Sequence, residues 1–302
     1  TLVRVFGDCP LLTSGFESEK QEDMYPSRTA ASEVYAQVET DIEEALRLMP
    51  ASSKLLHKAS PAAINMLRTE YYLWKAKRLG GGNAALSTAQ SSVDAVLKAG
   101  YALLPTFADI FNLNNEANSE LIWTLPYIVN ENVTPGTSPN FFAYYLAPNG
   151  DRTRLREAGY TEDEVPAGSH AQYVVPTQAY CDFLAEDARD TRTDVSVRVF
   201  EDKFLTEEVQ IKRMVVKFKG SFANDTRSFD SDVPVYRLAE AYLLKAEVEN
   251  ALGNTDAALQ NLNVVAKRAY GVDNYYTART QDAIDNAIIS EIPVSYTHLR
   301  AH

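Results

Sequence analysis

No apolar run in this sequence approaches the roughly 20 residues that a membrane-spanning helix requires. Basic clusters are missing too: 29 lysines and arginines face 41 acidic residues, for a net charge of −12. Phosphate recognition depends on grouped Lys and Arg, so no nucleic-acid partner is expected. Cysteine is scarce. Cys9 and Cys181 lie far apart in no metal or redox spacing, and one disulfide or two free thiols suit them equally. His57 and His170 stand alone, with no second His, Cys or paired carboxylate at ligand spacing. There is no nucleophile elbow or zinc motif, and Asp187–Asp194 and Asn224–Asp232 lack the calcium-loop pattern and read as turns. The carboxylate pairs Glu43–Glu44 and Glu162–Glu164 read as solvated faces. These absences argue against an enzyme, a metal site or a cofactor. The chain also lacks an initiator Met and a signal peptide, and TLVRVFGDCPLL opens like the middle of something longer.

What is present is helix, and 302 residues with 45% hydrophobic content suffice for a full core. The most regular stretch, 231–271, reads as two amphipathic helices joined by a short turn. Val235, Leu238, Tyr242 and Lys245 follow one another at offsets 0, 3, 7 and 10, with Ala239, Leu243 and Ala246 beside them. Gly253 marks the stop, Asn254 the next cap, and Ala258, Leu262, Val265 and Ala269 share one face of the second helix. Small residues such as Ala239, Ala246 and Ala258 let the two backbones approach closely, as in a tetratricopeptide-like hairpin. Residues 29–100 repeat the theme. Tyr35, Val38, Ile42, Ala45 and Met49 form one stripe, ended by Pro50. Ser60-Pro61 starts a helix carrying Ile64, Leu67, Tyr71 and Trp74, and a third helix carries Leu86, Ala89, Val93 and Val96. RLGGGNAAL at 78–86 parallels ALGNTDAAL at 251–259, but no Gly-Lys-Ser or Gly-Lys-Thr follows the triple glycine, so it reads as a turn rather than a phosphate loop.

Between these hairpins, residues 101–230 form a loop-rich insertion with short strands. Leu121–Leu125 reads as a buried strand containing Trp123, and Val195–Phe200 and Met214–Phe218 read as strands of a hairpin. Pro176 opens a helix with Tyr180, Phe183 and Leu184 apolar, and Leu2–Phe6 reads as strand-like. Residues 126–175 carry Pro, Gly, Asn and many aromatics with no helical period, and a loop of this length in a compact protein is usually functional. The final residues, 292–302, contain His298 and His302 and read as a foreign or disordered tail. The expected fold is mainly α, with tetratricopeptide-like hairpins packed against an irregular, loop-rich part holding a few short strands.

The stretch 232–269 resembles the signature hairpin of the SusD/RagB family of outer-membrane nutrient-binding lipoproteins. The matching positions are Asp232, Pro234, Arg237, Ala239, Glu240, Tyr242, Leu243, Ala246, Glu247, Asn263 and Arg268. TAASEVYAQVETDIEEAL, the Ala-rich helix ending at Trp74, LIWTLPY and VPTQAYCDFLAEDARDTR fit the family's order upstream. The resemblance covers most of residues 1–291, which are expected to be a single SusD-like domain fragment, truncated at both ends. It implies a surface glycan- or oligosaccharide-binding protein that hands its ligand to a TonB-dependent, SusC-like transporter barrel. Membrane attachment would come only through a lipid anchor missing from this chain, since Cys9 follows no apolar signal. Sugar rings stack on aromatic planes, and their hydroxyls need amide, guanidinium or carboxylate partners. In 126–175 the candidate ligand residues are Phe141, Tyr144, Tyr145, Asn149, Asp151, Arg152 and Tyr160, each of which could instead anchor the loop to the helices. A tetratricopeptide-like scaffold that binds protein segments is the alternative, disfavoured because a scaffold would keep its period.

Overall fold

The computed structural model describes residues 2–15, 25–50, 56–128, 159, 161, 175–202, 210–223, 226–228 and 230–295. They fall into two compact units, Thr1–Ser53 and Lys54–His302. In the first unit, α1 (Leu2–Phe6) and α2 (Ala31–Leu48) enclose a small core of Val3, Cys9 and Val34. Leu2–Phe6 is thus helical rather than strand-like. The carbonyl of Val3 accepts from the Gly7 amide at 3.1 Å, closing a local turn that needs no partner strand. Ala30 precedes α2 and has no side-chain oxygen, so Asp8 caps it from a distance, accepting the Ala31 amide at 2.9 Å.

In the second unit, α3 (Pro61–Arg78) starts as the sequence predicts: Pro61 occupies the first turn and Ser60 Oγ accepts the Ala63 amide at 3.2 Å. Gly80, at φ +74°, stops it, and a Cβ on Gly81 would meet Ala85 Cβ at 2.8 Å. The triple glycine is therefore a steric turn leading into α4 (Gly82–Leu97). β1 (Leu121–Leu125) follows, then α5 (Gln178–Leu184) and α6 (Thr193–Ser196). Two antiparallel hairpins come next: β2 (Val197–Asp202) with β3 (Gln210–Val215), and β4 (Ser221–Ala223) with β5 (Thr226–Ser228). β6 (Val233–Arg237) leads into α7 (Leu238–Ala251), α8 (Thr255–Tyr270) and α9 (Gln281–Ser295).

α7 is the centre of this unit and packs against α3, α4, α8 and α9. It is buried on almost every side, which is why its amphipathic stripe is weak. Ala239, Leu243 and Ala246 of α7 meet Ala258, Leu262 and Val265 of α8, and Ile284, Ile288 and Ile292 of α9. Residues 233–237, read from sequence as the first turn of that helix, instead form β6, antiparallel to β1 with Leu121 opposite Arg237 and Leu125 opposite Val233. Pro234 explains the difference: its ring disfavours helical backbone at Val233, and β1 supplies the strand partner. Asn254 precedes α8, but its side chain turns back to Glu249 Oε2 (2.7 Å) and makes no cap hydrogen bond. α9 continues through Ile292, 8% exposed and packed in the core, to Ser295, so the tail set off at 292 begins inside a helix. Among the described residues no helix is long and apolar enough to cross a membrane. Cys9 and Cys181 are both free and buried. The fold is mainly α, with helical hairpins packed against a loop-rich part and short strands, as expected.

Candidate functional site

The seven residues singled out from sequence, Phe141, Tyr144, Tyr145, Asn149, Asp151, Arg152 and Tyr160, all lie outside the described residues, as does His170. Thr161, next to Tyr160, is described and lines a cleft of about 800 Å³. That volume suits a ligand of several rings.

One wall of the cleft is built from two short 3-10 turns, Ala108–Phe111 and Leu113–Asn115. Local side chains hold them. Thr106 Oγ1 donates to Asp109 Oδ2 at 2.7 Å, Asn112 Oδ1 accepts the Asn114 amide at 3.0 Å, and Asn118 Nδ2 donates to the Asn115 carbonyl at 2.9 Å. Phe111 is consequently partly exposed at the cleft, braced edge-on by Phe107 and Phe218 at 5.2 and 5.5 Å between centroids. Asn112 and Asn114 are exposed beside it. The opposite wall comes from Asp194 of α6, Arg198 of β2 and the connection from Val216 to Ser221. Asp230 holds that connection by accepting the Ser221 amide and hydroxyl, both at 2.7 Å, while Ser231 Oγ accepts the Gly220 amide at 3.1 Å. An aromatic face, amides and charged groups therefore converge on one cavity.

Lys217 lines the same cleft, 2% exposed, with its ammonium 4.8 Å from the Phe107 ring and 5.0 Å from the Phe111 ring. Burial pulls that ammonium well below the ordinary lysine value, and the neighbouring Arg237 and Arg192 act in the same direction. Nearby, the fully buried Glu120 joins three parts of the chain. Its Oε1 accepts from Arg237 at 3.1 Å, and its Oε2 accepts from Arg268 at 2.5 Å and from the Leu104 amide at 3.0 Å. A third buried guanidinium, Arg192, is held by Asp190 at 2.7 Å and Glu291 at 2.5 Å.

The polar positions of the signature hairpin are thus braces. Asp232 accepts from the Tyr127 amide at 3.0 Å, and Asn263 makes two 2.9 Å bonds to the backbone of Tyr276. Glu247 pairs with Lys77 at 2.7 Å, while Arg237 and Arg268 converge on Glu120. His57, alone in sequence, has spatial neighbours: its Nδ1 lies 2.9 Å from Thr124 Oγ1 and 3.8 Å from Asp232. Trp123, expected to be buried, is half-exposed and tilted against Tyr236 at 6.1 Å. No group of three His, Cys, Asp or Glu among the described residues could hold a metal ion.

Residues 205–294, which include this hairpin, match the SusD family. A SusD-like protein, P25, from Formosa agariphila is 25% identical over 312 residues, covering 93% of this chain and 55% of that protein. Over the hairpin and α9 the chain is thus similar to the SusD family. SusD superfamily structures share its fold: one from Bacteroides vulgatus superposes with a TM-score of 0.78 at 25% identity, covering 98% of this chain and 66% of that one. Surface glycan-binding protein A from Bacteroides uniformis gives a TM-score of 0.71 at 18% identity, covering 97% and 60% of the two chains. The chain thus spans little more than half the length of the curated SusD-like relative. Within this fold, sequence reasoning missed Phe111, Arg198, Lys217 and Lys219. Phe111 sits in a run that reads simply as apolar, and the two lysines in VVKFKG alternate as strand residues do.

A second cleft, of about 510 Å³, borders Asp187, Arg189 and Tyr275. Its rings are engaged by the protein itself. Tyr275 stacks on Tyr270 at 3.9 Å and carries Arg189 at 5.4 Å, while Arg192 lies 5.1 Å from Tyr270.

Proposed function

We propose that the chain is part of a non-catalytic, cell-surface glycan-binding protein that delivers oligosaccharides to a TonB-dependent, SusC-like transporter in the outer membrane. The full protein would be held there by a lipid anchor. The observation that carries this reading is the 800 Å³ cleft, which joins a partly exposed Phe111 to the side-chain amides of Asn112 and Asn114. A sugar presents apolar C–H faces and hydroxyl edges, and such a lining complements both. The match of residues 205–294 to the SusD family and likeness to a surface glycan-binding protein from Bacteroides uniformis support it. Thr161, the residue after Tyr160, lines this cleft, and Phe141, Tyr144, Tyr145, Asn149, Asp151, Arg152 and Tyr160 are proposed to complete the site. Pull-down on a panel of insoluble polysaccharides tests the function. Binding should weaken in Asn114→Ala, and in Tyr144→Ala with Tyr145→Ala, while melting temperature stays put. Capture by none of the panel would sink it.

A further inference from the structure

We infer that Glu116 is a pH-sensitive clasp between the two walls of the cleft, loosened near neutral pH and tightened by mild acidification. The clasp follows from the geometry alone, and its consequence for a ligand rests on the glycan-binding function proposed above.

The two walls are remote in sequence. One is the pair of 3-10 turns from Ala108 to Asn115, and the other is the connection from Val216 to Ser221. Glu116 directly follows the first wall, and its Oε1 accepts the Asp232 amide at 2.9 Å. Asp232 in turn follows Asp230 and Ser231, which accept from Ser221 and Gly220 of the second wall. The bond from Glu116 therefore joins the turns of one wall to the braces of the other. It also crowds negative charge, because Glu116 is half-buried beside the carboxylates of Asp232 and Asp230. Asp232 is fixed in place: it accepts the Tyr127 amide at 3.0 Å and the Thr124 hydroxyl at 3.3 Å, with His57 Nδ1 3.8 Å away. The gap beside the pair is about 10 Å³ and is bordered by Ile110, Phe111, Leu121, Phe218 and Pro234. It holds one water at most, so the charges are poorly screened. Burial, then repulsion from Asp232 and Asp230, pushes the Glu116 carboxyl above its ordinary 4.5, although the Asp232 amide and His57 act the other way. Protonation removes the repulsion and keeps the bond, since the carbonyl oxygen of a neutral carboxyl accepts the same amide. Folding thus favours neutral Glu116, whose contribution is fully present below pH 4.5 and is lost as pH rises through the folded value.

Glu116→Gln keeps the accepting oxygen and removes the charge, so it should hold the clasp closed at every pH. Melting temperatures of the 302-residue chain and this variant, followed from about pH 4.5 to about pH 7.5, test the clasp without a ligand. The difference between them should move in the variant's favour by a few degrees as pH rises. Over the same range, hydrogen exchange at the Asp232, Gly220 and Ser221 amides, referred to intrinsic rates, should quicken in the parent and not in the variant. A melting difference that stays constant with pH would overturn the clasp. So would a pH-dependent exchange that persists in Glu116→Gln and vanishes in His57→Gln, since His57 would then be the group that titrates. Polysaccharide pull-down reads the consequence for ligand: retention by the parent should change between neutral and mildly acidic pH, while retention by Glu116→Gln stays level. Retention that responds to pH equally in both proteins would overturn control of the cleft by Glu116. If no polysaccharide is retained at either pH, the glycan function fails, and the melting series still decides the clasp.

Discussion

Replacing Glu120 by Gln should be among the most destabilising single changes available in this chain. The carboxylate is fully buried, and it receives Arg237 at 3.1 Å on one oxygen and Arg268 at 2.5 Å on the other. Both guanidinium groups are themselves nearly inaccessible, their side chains 5% and 6% exposed. Glutamine keeps the shape but turns one terminal atom into a donor facing a guanidinium, leaving two buried cations without their counter-charge. Breaking a buried pair by removing one partner costs about 3–5 kcal/mol. For a unit of this size that lowers the melting temperature by on the order of 10 °C. Calorimetry and guanidinium unfolding of the parent and the variant measure it. Replacing Glu120, Arg237 and Arg268 together by Met should recover most of the loss, because no uncompensated charge then remains. A Glu120→Gln protein that melts within about 2 °C of the parent would refute the reasoning, for the buried charges would then be solvated or paired elsewhere.

Ile288→Ala empties a site 2% exposed between α7 and α9, and should cost about 2–5 kcal/mol by chemical unfolding. Gly253, in the turn between α7 and α8, has φ +85° with open space around it, so Gly253→Ala should cost about 1–2 kcal/mol from backbone strain alone. At high pH the tyrosines should act together. Burial pushes the Tyr180 hydroxyl up to about 12 from 10.0 and raises those of Tyr236, Tyr270 and Tyr276 too. Folding favours their neutral form, so this stability is fully present below pH 10 and is lost as pH rises through the folded values. Absorbance at about 295 nm should show part of the tyrosinate signal arriving only with unfolding; simple titration of every tyrosine near its ordinary value would contradict the burial.

Helices with their own start and stop signals were legible in the sequence. Ser60-Pro61 and the glycines after Arg78 act within one turn of the residues that they cap, so α3 follows from local chemistry. β6 was not legible as a strand, because its partner β1 lies over a hundred residues upstream and Val235 falls by chance on the helical stripe of α7. Leu2–Phe6 failed for the opposite reason: five residues are too few for a period to separate helix from strand. α9 was overlooked although Ile284, Ile288 and Ile292 recur every four residues, because the reading broke the chain at 292, inside that helix. Of the cleft, Phe111, Arg198 and Lys219 come together only through turns and pairings of remote parts of the chain, which no local pattern marks.

The same distinction explains why the hairpin that marks the family lies apart from the proposed chemistry. Its polar residues are committed: Arg237 and Arg268 to Glu120, Asn263 to the Tyr276 backbone, and Asp232 to the Tyr127 amide. Each bond ties the hairpin to a connection outside it, and around the buried Glu120 losing one partner strands the other. Such residues tolerate little change whatever the ligand. The rim of the cleft is different. Asn114 and Asp194 are exposed there, with little packing to lose. A fold built this way keeps its recognisable signature in the braces while ligand selectivity is adjusted at the rim. Buried Lys217 is the exception: it lines the cleft beneath Phe111 yet is held by the core, so there a change of lining and a change of stability are coupled.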